Sequence, residues 1–173
     1  YMGSFSKVLA PGLRLGFVIA PEELHGKLVQ AKQAADLHTP SFSQRIVYEA
    51  VQDGFLDAHI PTIRTLYARQ CELMLDALDR YFPAEATWNK PEGGMFIWVN
   101  LPKGVDSAKL LAKAIEQNVA FVPGAPFYAV DPVPNTLRLS FVTVPQDKIE
   151  IGMQKLGALL KSEIAGLSAT AVA

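Results

Sequence analysis

From Phe82 onward, short apolar runs of four to eight residues alternate with segments whose apolar residues recur every three to four positions, and this alternation restricts the chain to an α/β fold. The runs Ala86 to Asn89, Gly94 to Leu101, Val119 to Val122 and Thr136 to Val142 read as strands. The first two are separated by the turn-rich Lys90-Pro91-Glu92-Gly93, and the last two by the Pro/Gly-rich loop from Pro123 to Asn135. Asp106 is placed to cap a helix through Gln117 with Leu110, Leu111, Ala114 and Ile115 on one face. A final helix is expected from a capping box, Thr143 with Gln146, and carries Ile149, Met153, Leu156 and Leu160 along one side. Its Ala/Ser-rich tail after Ile164 is expected to fray.

Upstream the pattern is mainly helical. Pro21, Glu22 and Glu23 suit a helix start, because proline lacks only an N–H that needs no partner there and carboxylates favour the positive end of the helix. Leu24, Leu28, Ala31 and Ala35 mark one face, and the helix should stop near His38-Thr39-Pro40, since the residue before proline disfavours helical dihedrals. Helical spacing resumes from Phe42 to Tyr81, with a break at Asp53-Gly54 and a restart at Pro61. Before all of this, Leu13 to Ala20 is nearly all apolar and reads as a buried strand, with Pro11-Gly12 as the turn leading into it.

A chain of 173 residues that is half apolar can bury one core. Its formal charge of -1, with both signs mixed, offers no basic field for nucleic acid or an anionic membrane. Small-molecule chemistry is the better expectation. The single cysteine, Cys71, cannot form an internal disulfide and fits a reducing, cytoplasmic setting. No apolar run reaches the ~18 residues of a membrane span, and the three histidines, His25, His38 and His59, are not spaced as a metal-ligand set. The chain opens at Tyr1 without methionine and enters a Gly/Ser-rich segment within three residues, so a fragment of a longer protein is expected.

The most specific stretch is Ser4-Phe5-Ser6-Lys7, followed by Pro11-Gly12-Leu13-Arg14-Leu15-Gly16. A lysine amine forms an imine with an aldehyde once its proton is removed. Two hydroxyls and a guanidinium beside it are the donors that a phosphate dianion requires. The bland alternative is a solvated loop lysine with two turn-forming serines, but Arg14 interrupts an otherwise apolar strand, and a buried arginine needs an anionic partner. No acidic residue lies near it in sequence. A second arginine, Arg138, falls in Thr136-Leu137-Arg138-Leu139-Ser140-Phe141, where strict alternation puts Leu137, Leu139 and Phe141 on one side and Thr136, Arg138 and Ser140 on the other. Spacing alone leaves open whether Arg138 faces water or a polar site.

The first motif resembles the cofactor-lysine segment of fold-type-I pyridoxal-phosphate enzymes of aminotransferase class I and II, matching Ser-x-Ser-Lys-x-x-x-Pro-Gly-x-Arg-x-Gly at every position. By that resemblance Lys7 is the lysine of the internal aldimine and the proton shuttle at the substrate Cα, while Ser4, Ser6 and Arg14 bind the phosphate. Ser6 has the alternative of capping the turn. Asn135 to Phe141 resembles the family's Asn-x-x-Arg-Leu-x-Phe strand, which implies that Arg138 holds the substrate α-carboxylate. Pro91-Glu92-Gly93-Gly94-Met95-Phe96 and Phe121-Val122-Pro123-Gly124-Ala125-Pro126-Phe127 look like a small-domain strand entry and a loop at the active-site mouth, with Met95, Phe96 and Trp98 as core or pocket wall. Gln33 to Thr39 resembles the aminoadipate and broad-specificity bacterial branch, and there Thr39 and Ser41 would approach a neighbouring subunit's site.

The resemblance runs from Tyr1 to Leu160 and matches the C-terminal part of the family's chain. It implies residues 1–40 as the edge of the large cofactor domain and 41–173 as an interdomain helix with the small domain. It also implies a homodimer when full length, and amino-group transfer between an α-amino acid and a 2-oxo acid. The family's ring-stacking aromatic and its acidic partner for the pyridine nitrogen precede the lysine, so the 173 residues alone are expected to be inactive. The alternative is the effector-binding half of an aminotransferase-like transcription regulator, which would carry a winged-helix DNA-binding region upstream.

Overall fold

The structure, a computed structural model, describes residues 1–170, with side-chain environments through residue 167. The chain divides into two compact units, Tyr1–Ile63 and Arg64–Ala173.

The first unit opens with a hairpin in which β1 (Met2–Ser4) pairs antiparallel with β2 (Gly16–Val18), Gly3 opposite Phe17. The Phe17 ring covers Gly3 so closely that a Cβ there would lie 2.3 Å from it, and Tyr1 and Phe5 pack on the same ring. Aromatic packing over a strand glycine holds this short pair together. β2 is shorter than the strand expected from Leu13 to Ala20, and it is exposed rather than buried. A two-stranded hairpin has no second layer to cover it.

Helix α1 (Glu22–Asp36) starts and stops where the prolines and carboxylates predict. Its end is a γ-turn: His38 N–H donates to the Asp36 carbonyl at 2.8 Å around Leu37, which adopts φ 67 and ψ -65. The apolar face Leu24 to Ala35 is exposed throughout. α2 (Ser41–Val51) follows Pro40, and α3 (Phe55–Tyr81) follows the break at Asp53-Gly54, where Gly54 takes φ 76. The restart expected at Pro61 occurs six residues earlier. Pro61 lies inside α3, in its second turn, where its missing N–H costs one bond of a 27-residue ladder.

The second unit holds the core. Four antiparallel strands, β3 (Thr87–Trp88), β4 (Phe96–Asn100), β5 (Val122–Pro123) and β6 (Thr136–Ser140), form a sheet of order β3-β4-β6-β5. One face buries Ile97, Val99, Leu137 and Leu139 among Met74, Ala77 and Leu78 of α3, Leu110 and Ala114 of α4 (Ser107–Glu116), and Ile149, Met153, Leu156 and Leu160 of α5 (Gln146–Thr170). The 3.6-residue and two-residue periods thus meet on one apolar layer.

Asp106 caps α4 as expected, accepting from the N–H groups of Ala108 and Lys109. α4 closes with a Schellman motif, in which Asn118 at φ 61 donates to Ile115 and Val119 donates to Ala114. α5 begins at Gln146 after Pro145, two residues later than a cap on Thr143 would place it, and the tail expected to fray is helical through Thr170. Residues 171–173 of that tail lie outside the described residues. The strands are shorter than their apolar runs. β4 starts at Phe96 because Gly94, at φ 83, turns the chain first, and β5 ends at Pro123, which has no N–H to extend a ladder.

Candidate active site

In the first unit, Lys7 sits on the turn between β1 and β2. The Phe5 carbonyl accepts from the N–H groups of Leu9 and Ala10, at 2.9 and 3.1 Å, and Phe5 N–H donates to Leu15 at 3.1 Å. These bonds pin the backbone on both sides of an exposed amine. Ser4 Oγ accepts from Ser6 N–H at 3.1 Å. The turn is therefore capped by Ser4 rather than by Ser6, and the Ser4 hydroxyl keeps its proton to donate.

Arg14 differs from expectation. It lies outside β2, exposed, in the left-handed conformation (φ 52, ψ 42) that ends the 3-10 turn Pro11–Leu13. Its N–H and its Nη1 both point to the Pro11 carbonyl, at 3.3 and 3.1 Å. The argument from a buried strand arginine does not hold; an αL residue after Pro-Gly-Leu folds the guanidinium back over its own turn. A non-glycine residue in this region costs of order 1 kcal/mol or more, and such outliers gather at functional sites. Among the described residues no carboxylate pairs with Lys7 or Arg14.

In the second unit, Arg138 projects from the sheet face opposite the core, across from Trp98 on β4. That face is aromatic rather than simply polar. The Arg138 guanidinium carbon lies 3.9 Å from the ring centre of Phe96 and 4.7 Å from that of Phe127, both within cation–π range. Trp98 meets Phe127 edge-on at 5.6 Å and Tyr128 at 6.3 Å. Phe96 and Trp98 are thus half-buried wall, as expected. The Trp98 backbone N–H donates to Asn89 Oδ1 at 2.7 Å, tying the strand to the preceding turn.

The loop that carries Phe127 is held by close approach. Gly124 N–H donates to Thr136 at 2.7 Å, and a Cβ on Gly124 would lie 2.0 Å from Thr136 Oγ1. Glycine is required there for space alone. The Thr136 hydroxyl in turn donates to Val133. The sequence does not single out Phe127 and Ser140 as neighbours of Arg138; aromatic and hydroxyl residues occur too widely to stand out without their surroundings.

Arg138 has no acidic partner among the described residues, and its Nε is buried without a hydrogen bond. A buried charged donor left unmatched costs roughly 1–3 kcal/mol or more. A carboxylate satisfies it bidentately. Arg138 also lines a cavity of about 340 Å³ within the second unit, together with Phe96, Ser140, Phe121, Thr143 and Lys148.

Comparison with known proteins agrees with these features. The family described as aminotransferase class I and II matches residues 1–156. The chain is 48% identical over 165 residues to the 2-aminoadipate transaminase of Thermus thermophilus, covering 95% of the chain and 41% of that protein. The crystal structure of LysN, the alpha-aminoadipate aminotransferase of Thermus thermophilus, complexed with N-(5'-phosphopyridoxyl)-L-leucine, superposes with a TM-score of 0.89 at 48% identity, over 95% of this chain and 42% of that one. The uncharacterized HTH-type transcriptional regulator YdfD of Bacillus subtilis matches at a lower 32% over 161 residues, 93% of this chain and 33% of the regulator. The chain thus spans about two fifths of the length of its nearer relatives. Its fold is the α/β fold of the fold-type-I enzymes, and the chain belongs to the aminotransferase class I and II family.

Proposed function

We propose that the protein containing this chain is a pyridoxal-phosphate-dependent aminotransferase that moves an amino group between an α-amino acid and a 2-oxo acid. The observation that carries the substrate class is Arg138, a guanidinium against two rings with a buried, unmatched Nε and no acidic partner among the described residues. An α-carboxylate is common to both substrates and fills that vacancy in charge and geometry.

The residues around Lys7 fit the cofactor. An exposed amine stands on a pinned turn, Ser4 has a hydroxyl proton to give, and Arg14 keeps N–H groups beyond the one bonded to Pro11. Ser4, Ser6 and Arg14 would hold the phosphate, and Lys7 the aldehyde carbon. Pyridoxal phosphate supplies an aldehyde that takes up amines and an electron-poor ring that labilises the bonds of the carbon bearing the amine. The chain's own part is binding and proton movement. With its amine free, Lys7 would take the proton from the substrate Cα and return one on the other side of the transfer. Arg138 fixes the carboxylate, so that one chosen Cα bond is presented to that base.

In this reading residues 1–40 belong to the edge of the cofactor domain and 41–173 to the connecting helix and small domain, in a cytoplasmic homodimer in which Thr39 and Ser41 approach the neighbouring subunit's site. Among the described residues no helix is long and apolar enough to cross a membrane. The higher identity to transaminases than to the regulator supports the enzyme reading, and 2-aminoadipate is the first amino acid to test. In the full-length protein, Arg138→Ala should raise KM for 2-aminoadipate and 2-oxoglutarate and lower kcat/KM by roughly 10²–10³, as for loss of a charge-assisted pair worth about 3–4 kcal/mol. Unchanged kinetics would remove Arg138 from the site.

A further inference from the structure

On β6 two side chains, not one, are left unmatched. Arg138 and Ser140 project from the same face of the strand, opposite Trp98 and Phe96 respectively. Arg138 Nε and Ser140 Oγ are both buried, and neither has a hydrogen-bond partner. Both residues line the same cavity of about 340 Å³. An arginine Nε–H can only donate, and a serine hydroxyl has a proton of its own to give. What the pair lacks is a compact acceptor with more than one oxygen. The Phe96 and Phe127 rings lie against the guanidinium, so its unmatched edge is the direction left for an anion.

We propose that Ser140 is a second substrate-binding residue, donating its hydroxyl proton to the carboxylate that the Nε edge of Arg138 holds. The inference rests on the reading of Arg138 as the carboxylate site and adds a residue to it. A carboxylate offers about four lone-pair positions, enough to accept from Nε, one Nη and the serine together. Three donors fixed on one strand and its aromatic wall hold the carboxylate plane more tightly than an arginine alone, which restricts rotation of the substrate about its Cα–carboxyl bond. Serine suits the position because it adds a donor without charge, and because its short side chain leaves the cavity open beside the guanidinium.

The test uses the full-length holoenzyme with 2-aminoadipate and 2-oxoglutarate as probes, comparing Ser140→Ala, Ser140→Cys, Ser140→Thr and Arg138→Ala. Ser140→Ala and Ser140→Cys should raise KM for both probes on the order of tenfold while kcat stays within about twofold and the cofactor absorbance is unchanged, because a methyl donates nothing and a thiol only weakly. Ser140→Thr keeps the hydroxyl and should keep KM near that of the unaltered enzyme. Ser140→Ala and Ser140→Cys guard each other against a folding defect, since one is slightly smaller than serine and the other slightly larger. Unchanged KM in Ser140→Ala and Ser140→Cys beside a raised KM in Arg138→Ala would overturn this inference alone. Unchanged KM in Arg138→Ala would sink the carboxylate reading and this inference with it.

Discussion

Two arginines in similar apolar contexts take different environments, one exposed and one with a buried Nε, and backbone geometry separates them. Arg138 lies within a strand, so alternation alone places it on the face away from Leu137 and Leu139. Arg14 lies one residue past a 3-10 turn, and a left-handed residue there breaks the period on which a strand reading depends. Its place after Pro-Gly-Leu was legible from the motif, but its left-handed geometry and exposure were not. The aromatic surroundings of Arg138 were only partly legible: Phe96 and Trp98 sit two and zero register positions away across the ladder, whereas Phe127 arrives from a loop whose path depends on Gly124. Arg138→Lys should recover little of the activity lost in Arg138→Ala, because an ammonium lacks both the planar fork and the stacking face; steady-state KM values for the two variants decide it.

Cys71, on α3, has its thiol pKa pushed above the usual value by burial, with Glu72 adding to the effect. Near pH 8 it should therefore react with iodoacetamide more slowly than a free thiol. The linked stability has a definite sign. A group that holds its proton more tightly when folded contributes fully below the unfolded pKa, and the contribution is lost as pH rises above it. Stability should fall above pH 9.0, and Cys71→Ala should lessen that fall in chemical denaturation at pH 8 and pH 10.

Among the elements, α4 was the most legible, since its cap, its apolar face and its end are all local features: Asp106 donates nothing to the core but accepts from two N–H groups that the first turn cannot satisfy. Asp106→Ala should cost about 1 kcal/mol in chemical denaturation, with the sheet unchanged. Pro61 was misread because a proline early in a helix and one that starts a helix look alike in sequence, and packing further along α3 decides between them. The strands were overextended for a related reason. Apolar runs mark burial, and Ala86 and Val119 are apolar without being paired in the sheet.

Close approaches were not legible at all. A Cβ on Gly157 would lie 2.4 Å from the Tyr81 carbonyl, where α5 passes the end of α3. Gly157→Ala should destabilise the protein by about 1–3 kcal/mol despite alanine's better helix propensity, since backbone rather than a flexible side chain is in the way. A neutral or stabilising effect in thermal melts would show that the two helices separate easily.

At the scale of the whole molecule, the second unit buries a continuous apolar layer, while in the first unit only Val47 is buried among its apolar residues. Leu24, Leu28 and Val29 of α1 and Phe17, Val18 and Ile19 beside β2 are exposed. The spacing of Leu24, Leu28, Ala31 and Ala35 marks one helical face of α1, and that face is exposed in the structure. The relatives are more than twice as long as the matched segment. On this account the 173-residue chain alone binds pyridoxal phosphate weakly or not at all, whereas the full-length protein binds it stably. Titration of the isolated chain followed by absorbance tests this, and a strong cofactor band from it would contradict the expectation.

The central claim is that Lys7 is the residue that holds the cofactor. Reduction of the full-length holoenzyme with borohydride, followed by proteolysis and peptide mass spectrometry, tests it most directly. The account predicts a phosphopyridoxyl group on the peptide bearing Ser4-Phe5-Ser6-Lys7 and on no other lysine, with the label absent from Lys7→Ala; label on a different lysine, or labelling that survives Lys7→Ala, would contradict it.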